Sequence, residues 1–185
     1  MRYDAVIIGG GRSGCAEAQS RVAEGQKVCV VSAGLTLHSL EPELKDKPYA
    51  LLHELVKAGV AVLRGDIAES VEWSAGGSAS PAVSAIRTAN GVTLEAAEFV
   101  LATGRFFSRG LVADMEGVRE PLFGADVDFP ADRSKWFDPD FFAQQPFEGF
   151  GVKTDAKGRI LKEGKPVENV FAIGKILGGK HNAGR

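Results

Sequence analysis

Apolar and β-branched residues form two short continuous runs near the amino terminus, at residues 3–8 (YDAVII) and 27–31 (KVCVV). Runs of this kind are typical of strands in a parallel sheet that is covered on both faces. Residues 13–24, between them, carry small residues on one helical face, and Gly25 predicts the end of that helix. Residues 3–31 therefore predict a complete β-α-β unit.

A second helix and a third strand follow, after which the apolar runs become shorter. Residues 48–57 predict the helix, with Pro48 in its first turn, and residues 60–63 predict the strand. Asn90-Gly91 is a strong signal for a β-hairpin turn, so we predict a small antiparallel β-meander. Its runs are residues 67–73, 83–88, 92–94 and 99–101, and Gly76-Gly77-Ser78 is the other separator.

Residues 105–150 break this pattern, because they combine most of the phenylalanines with Trp136, several prolines and short charged segments. We interpret them as an irregular, aromatic-rich excursion. Hydrophobic anchoring of a long loop accounts for these rings more simply than a ligand cage does, although the cage stays open as an alternative. The chain then returns through residues 151–154, a turn at 155–158 and a last apolar strand at 170–173.

The length of 185 residues is close to that of one domain, at about 150 residues per domain. We therefore predict a single domain. Residues 1–104 and 151–185 form its Rossmann-like core, and residues 105–150 form the excursion.

Charge and cysteine usage narrow the classes of function. A net charge of −2 provides no basic field that would attract nucleic acid. No stretch reaches the roughly 20 apolar residues of a membrane span, and the first apolar run is too short for a signal peptide. Cys15 and Cys29 do not form a CxxC motif, so they provide no dithiol redox site and no cysteine zinc site. We predict that they are small residues of the core. We expect a cytoplasmic protein without direct membrane insertion.

The turn after the first strand carries the pattern G-x-G-x-x-G at Gly9, Gly11 and Gly14. Gly9 permits the tight turn, Gly11 lets a pyrophosphate approach the backbone, and Gly14 lets helix and strand pack closely. The free N–H groups at the helix start and its positive dipole end then hold phosphates. In this β-α-β context the pattern predicts a dinucleotide site.

One element of that pattern is different, because Ser32 stands at the end of the second strand where an acidic residue usually binds the ribose hydroxyls. A serine hydroxyl can also bind ribose, with roughly half the strength of a charge-assisted bond. The alternative is that Ser32 only begins the turn toward Gly34. The sequence leaves both interpretations open.

Two further strand ends favour a flavin. Residues 99–104 (FVLATG) and 169–174 (NVFAIG) are apolar strands that end in glycine. In this order, the three motifs resemble those of the two-dinucleotide-binding-domain flavoproteins. That superfamily usually has Asp after the last glycine, where it contacts the ribityl–phosphate part of FAD. Here Lys175 takes the position, where it could contact a phosphate oxygen or be solvated.

A closer resemblance covers about half to two-thirds of the chain. Residues 1–40, 100–127 and 141–179 resemble the B subunit of the anaerobic glycerol-3-phosphate dehydrogenase, and residues 100–127 carry the most specific match. The resemblance implies a flavin-binding protein that works with a catalytic flavoprotein subunit and an iron–sulfur subunit. Electrons would pass from glycerol 3-phosphate to a quinone pool, at the inner membrane through those partners. Family members are longer, so the chain is either naturally short or lacks a carboxy-terminal helix.

Two histidine-containing segments offer weaker signals. Residues 178–185 (GGKHNAGR) resemble a stretch of fumarate reductase-type flavoproteins whose His and Arg hold carboxylates, and a frayed chain end is the alternative. His38 has the stronger claim to lie near a flavin ring, although loop histidines are more often structural. The sequence identifies no catalytic residue and no metal site.

We therefore predict an α/β, Rossmann-like FAD-binding domain with a central parallel sheet, a β-meander and an aromatic-rich irregular excursion. We expect an FAD-dependent oxidoreductase or electron-transfer component, with FAD rather than FMN as its cofactor. A flavin- or nucleotide-binding module without turnover is the alternative, and an NAD-binding protein is a weaker one. The predicted cofactor contacts are Gly9, Gly10, Gly11, Arg12, Ser13 and Gly14 at the pyrophosphate, Ser32 and Ala33 at the ribose, Ile67 at adenine through its backbone, and Ala102, Thr103, Gly104, Gly174 and Lys175 toward the flavin.

Overall fold

The main sheet contains five adjacent parallel strands. The computed structural model describes residues 2–74 and 80–179, so the Gly76-Gly77-Ser78 separator and residues 180–185 lie outside the described chain. In chain order the elements are β1 (Arg2–Ile8), α1 (Arg12–Ala23), β2 (Val28–Ser32), α2 (Pro48–Lys57), β3 (Ala61–Arg64), β4 (Ala68–Trp73), β5 (Val83–Thr88), β6 (Thr93–Leu101), β7 (Val112–Ala113), β8 (Val118–Arg119), β9 (Val127–Asp128), β10 (Gly151–Val152), β11 (Arg159–Lys162) and β12 (Lys165–Ala172), with 3₁₀ turns at Phe106–Ser108, Arg133–Lys135, Pro146–Gly149 and Gly174–Ile176.

The parallel strands lie in the order β12-β6-β1-β2-β3. The first strand and α1 lie within one residue of the predicted positions, and α2 has the predicted bounds. The last strand ends one residue before its predicted end but begins five residues earlier than predicted. The prediction of an α/β fold with a central parallel sheet is therefore confirmed. Such a sheet brings the carboxyl ends of all five strands to one edge, where open α/β sheets bind their ligands.

Antiparallel strands extend this sheet. β5 pairs with β4 and with the first part of β6, and β11 pairs with β12. The prediction of separate runs at residues 92–94 and 99–101 is wrong, because both belong to the nine-residue strand β6. Continuous parallel pairing with β1, from Arg2–Glu95 to Ile8–Leu101, holds the intervening polar residues in the strand.

Alternate residues of the central strands belong to two cores. Ile7, Val30 and Val100 pack with α1 and α2 in one cluster. Ile8 and Leu101 belong to the other cluster, which also contains residues of the meander and of the excursion. The sheet is thus covered on both faces, as the uninterrupted apolar runs predicted.

The excursion is mostly irregular. It contains the short antiparallel pair β7–β8, and its strand β9 pairs with β10, which directly follows the excursion. Its inner rings meet edge to face: Phe106 lies 6.2 Å from Phe147 and 6.3 Å from Phe150, and Trp136 lies 5.8 Å from Phe150. Aromatic pairs at these distances stabilise a packed segment. Anchoring therefore accounts for the inner rings.

No α-helix in residues 2–74 and 80–179 has the length and apolarity to cross a membrane. The longest one, α1, has 12 residues.

Candidate functional site

A cleft of about 1160 Å³ runs along the edge where the parallel strands end. Residues that follow β1, β2, β3, β6 and β12 line it. Its volume exceeds the range of about 300–1,000 Å³ for drug-sized ligands. The cleft therefore has the position and the size that a dinucleotide needs.

The glycine turn between β1 and α1 forms one wall of the cleft. Gly9 has a φ of 124°, and a Cβ atom there would overlap the carbonyl oxygen of Ala102. A Cβ at Gly10 would lie 2.5 Å from Ser32 Oγ, and one at Gly14 would overlap the Gly9 carbonyl oxygen. At Gly11, by contrast, an added Cβ would meet no atom within 4 Å. The other glycines thus serve internal packing, whereas Gly11 leaves open space beside the backbone.

The first turn of α1 is open to an anion. Its N-cap residue is Gly11, no side chain caps its N–H groups, and no acidic residue lies in its first turn. Arg12 and Ser13 line the cleft beside it. An uncapped helix start with its positive dipole end is an anion-binding arrangement. The turn therefore fits a pyrophosphate.

The ends of β2 and β3 form a second part of the cleft, lined by Ser32, Ala33 and Ile67. Ser32 Oγ lies 3.0 Å from the Gly34 carbonyl oxygen, to which it donates. This bond is the one that the turn interpretation of Ser32 requires. A serine hydroxyl that donates one hydrogen bond can still accept another, so Ser32 Oγ can also contact a ribose hydroxyl. That contact stays a prediction.

Asp66 is a residue of this region that the sequence interpretation missed. It is buried, it lines the cleft, and its backbone N–H donates to the Ser32 carbonyl oxygen at 3.2 Å. Burial raises the pKa of its carboxyl, but hydrogen bonds from the Thr88 side chain and from the Asn90 and Ile67 backbones outweigh it, so the pKa is lowered. Asp66 is thus an ionised carboxylate whose hydrogen bonds stabilise the turn in which it lies.

The end of β6 forms the opposite part of the cleft, lined by Ala102, Thr103 and Gly104. Gly104 has a φ of 74°, and a Cβ at Gly110 would overlap its carbonyl oxygen. Thr103 Oγ1 is buried without a hydrogen-bond partner. Buried hydroxyls normally have a partner, so this atom is consistent with a site for a polar ligand.

The end of β12 completes the cleft through Lys175, which is exposed and lines it. Gly174 does not line the cleft, and neither does Gly14. Gly174 has a φ of 73°, and a Cβ there would lie 2.8 Å from Ser13 Cβ. These two glycines therefore shape the cleft by close packing behind its surface.

The excursion supplies a wall that the sequence interpretation did not assign. Part of this wall is Glu120, a buried side chain whose carboxylate accepts hydrogen bonds from the backbone N–H groups of Leu122 and Phe123 at 2.9 and 2.7 Å. Burial raises the pKa of Glu120, and the backbone hydrogen bonds offset that increase only in part. No local sequence pattern indicated that this acidic side chain would be buried. The excursion residues in the wall are Phe107, Ser108, Arg109, Gly110, Val112, Glu120, Pro121 and Leu122.

The histidines and possible metal ligands can also be placed. His38 lines the cleft, and its backbone N–H donates to the Gly10 carbonyl oxygen at 3.2 Å. The described residues contain no group of three His, Cys, Asp or Glu that could hold a metal ion. The segment that resembles fumarate reductase-type flavoproteins lies outside the described residues from position 180 onward. Cys15 and Cys29 are buried free thiols.

Comparisons with known proteins agree with this geometry. A family model described as FAD binding domain matches residues 39–185. That match does not include the glycine turn at Gly9–Gly14, so the turn supports a dinucleotide site independently. Proteins of this family bind FAD, which confirms the cofactor prediction.

Curated relatives, each named as the B subunit of anaerobic glycerol-3-phosphate dehydrogenase, match part of the chain. The protein of Aliivibrio fischeri strain MJ11 is 35% identical over 139 residues, and that of Yersinia pseudotuberculosis is 40% identical over 133 residues. Each alignment covers 70% of this chain and 30% of the relative. The resemblance stated from the sequence is therefore confirmed, and the chain spans about 30% of the length of these relatives.

Among solved structures, Thermovibrio ammonificans THI4 aligns with a TM-score of 0.46 at 19% identity, covering 56% of this chain and 58% of that one. At that score the likeness carries no argument, and the fold rests on its own strand topology. The family match covers most of the chain, and the cleft lies where a dinucleotide binds in such a sheet. The chain belongs to the FAD-binding domain family.

Proposed function

We propose that this chain is the FAD-binding part of an oxidoreductase, acting in catalysis or in electron transfer. The observation that carries the proposal is the cleft at the strand ends, with open space at Gly11 beside the uncapped start of α1. Membership of the FAD-binding domain family identifies the dinucleotide as FAD. The named relatives favour a role related to the B subunit of anaerobic glycerol-3-phosphate dehydrogenase.

The strand order suggests how FAD would lie. The glycine turn follows β1, which has β2 and β3 on one side and β6 and β12 on the other. With the pyrophosphate at Gly9–Gly14, the adenosine would extend over Ser32, Ala33 and Ile67. The flavin would then lie over the ends of β6 and β12, at Ala102, Thr103, Gly104 and Lys175.

The chain's own residues would bind and orient the cofactor. Bound FAD would supply the capacity to accept and release electrons. The N–H groups of α1 would hold its phosphates, and Lys175 would place a positive charge at the flavin end. The excursion would cover that end and exclude water from it.

The partners are also part of the proposal. The relatives are named as one subunit of a dehydrogenase, which favours a multi-subunit electron-transfer complex for this chain. A catalytic flavoprotein subunit and an iron–sulfur subunit are the partners we propose, with glycerol 3-phosphate as donor and a quinone as acceptor. Association with the inner membrane would occur through these partners.

An absorbance spectrum of the purified protein, followed by release and mass identification of the chromophore, tests the cofactor. We expect two flavin bands and released FAD. Flavin that is reduced by a donor or by a partner protein would support the electron-transfer role. Flavin that stays bound but resists every donor would favour a binding module without turnover. A colourless protein that takes up no added FAD would contradict the proposal.

A further inference from the structure

Phe107 is an apolar side chain that lines the cleft and yet has 99% of its surface exposed. Exposing a phenylalanine to water forgoes a large hydrophobic contribution to stability. The ring of the neighbouring Phe106, by contrast, packs against Phe147 and Phe150. One of two consecutive phenylalanines thus anchors the segment, and the other faces the cleft.

The segment that carries Phe107 is closed on itself by hydrogen bonds. The Gly110 and Arg109 backbone N–H groups donate to the carbonyl oxygens of Arg105 and Phe106 at 2.9 and 3.1 Å. Ser108 Oγ donates to the Arg105 carbonyl oxygen at 3.3 Å. The backbone that carries the ring is therefore preorganised, which limits the backbone entropy lost when a ligand contacts the ring.

The position of this turn indicates which part of FAD it meets. It directly follows β6, on the side of β1 opposite to β2 and β3. If the adenosine lies over β2 and β3, the isoalloxazine ring lies on the side of Phe107. That ring is flat and aromatic, so a phenyl ring can stack on it or meet it edge to face.

We propose that Phe107 is a flavin-binding residue whose ring packs against the isoalloxazine system of the bound cofactor. This inference rests on the proposed function and adds a contact to it. The inner rings of the excursion pack against one another and anchor the segment. Phe107 is the aromatic residue of the excursion that would contact the ligand in the cleft.

Titration of the flavin-free protein with FAD and, separately, with FMN tests the contact. Both ligands contain the isoalloxazine ring, whereas only FAD contains adenosine. Phe107→Ala should lower the affinity for both ligands in the same proportion, by about 5- to 150-fold as for the loss of an aromatic stacking partner. The matched control is Phe141→Ala, since Phe141 is 86% exposed and does not line the cleft. It should change either affinity by less than about 2-fold.

A tryptophan at the same position provides a second readout. Phe107→Trp should retain the affinity for FMN and should quench the fluorescence of the bound flavin, because indole quenches flavins on contact. Phe141→Trp should leave that fluorescence unchanged. If wild type binds both flavins and Phe107→Ala binds each of them with wild-type affinity, the inference is wrong and the proposed function stands. A loss confined to FAD would place Phe107 at adenosine and also overturn the inference. If wild type binds neither flavin, both fall together.

Discussion

At the scale of single residues, the glycines of the β1–α1 turn differ in what a side chain would meet. Gly11 has φ −78° and ψ −177°, a conformation that every residue adopts, and open space beside it. Gly14 lies inside α1 with the Gly9 carbonyl oxygen where its Cβ would be. The same motif therefore contains Gly14, which the fold requires, and Gly11, which we propose the ligand requires.

Substitution of these two glycines should separate binding from stability. Gly11→Val should abolish FAD binding, because the side chain would occupy the proposed pyrophosphate position, and should lower the free energy of unfolding by only about 1 kcal/mol, since valine is a poorer N-cap residue than glycine. Gly14→Ala gains about 1 kcal/mol from helix propensity. Overlap with the backbone of Gly9 should cost more than that, so the protein should be destabilised. Thermal unfolding and flavin titration measure the two effects, and wild-type flavin content in Gly11→Val would contradict the assignment of the turn.

At the scale of elements, the sequence predicts what local patterns determine. Buried parallel strands and α2 follow from apolar runs and from Pro48, and their positions are confirmed. β6 could not be predicted as one strand, because pairing with β1 keeps Glu95 and Glu98 in an extended conformation. Arg21 of α1 also binds Glu98, at 2.7 Å. Asp66 escaped prediction for a similar reason, since its carboxylate accepts hydrogen bonds from Thr88 and Asn90, which are distant in the sequence.

Ionisation of the buried Glu120 should make the stability of the protein depend on pH. The pKa of its carboxyl is raised by burial, so the folded state binds that proton more tightly than the unfolded state does. Its contribution to stability is therefore complete below the ordinary glutamate pKa of 4.5 and is lost as the pH rises through the higher folded pKa. Asp114 and Asp155, whose pKa values are lowered, act in a separate window, since their contribution is lost only as the pH falls below 3.8.

Glu120→Gln should remove this pH dependence, because the amide does not ionise. Its NH2 group replaces one of the two oxygens that accept backbone N–H groups, so the variant should also be less stable at every pH. The free energy of unfolding of wild type, relative to that of the variant, should decrease as the pH is raised from 4.5 toward neutrality. Urea unfolding at several pH values measures the difference. Glu116→Gln, at an exposed position of the same excursion, is the control. Parallel pH profiles for wild type and Glu120→Gln would refute the role given to Glu120.

At the scale of the whole molecule, one apolar cluster joins the sheet to the excursion. Phe99 and Leu101 of β6 belong to the same cluster as Phe123 and Phe150. Lys162 of β11 also links the aromatic segment to the meander, since its Nζ donates to the Phe123 carbonyl oxygen at 2.9 Å and lies 5.1 Å from the Trp73 ring centre. A shared core of this kind makes separate unfolding of the excursion unfavourable, because it would expose apolar surface of both parts.

We therefore propose that the chain unfolds as a single domain, and its two tryptophans report on the two parts. Trp73 lies at the end of β4, and Trp136 lies among the rings of the excursion. In flavin-free protein, Trp136→Phe leaves a reporter for the meander and Trp73→Phe leaves one for the excursion. Each variant's tryptophan fluorescence and its far-ultraviolet circular dichroism should give the same urea midpoint, as a two-state transition requires. A lower fluorescence midpoint in Trp73→Phe, where Trp136 is the reporter, would show that the excursion unfolds before the sheet. The wall that the excursion contributes to the cleft would then form only after the sheet has folded.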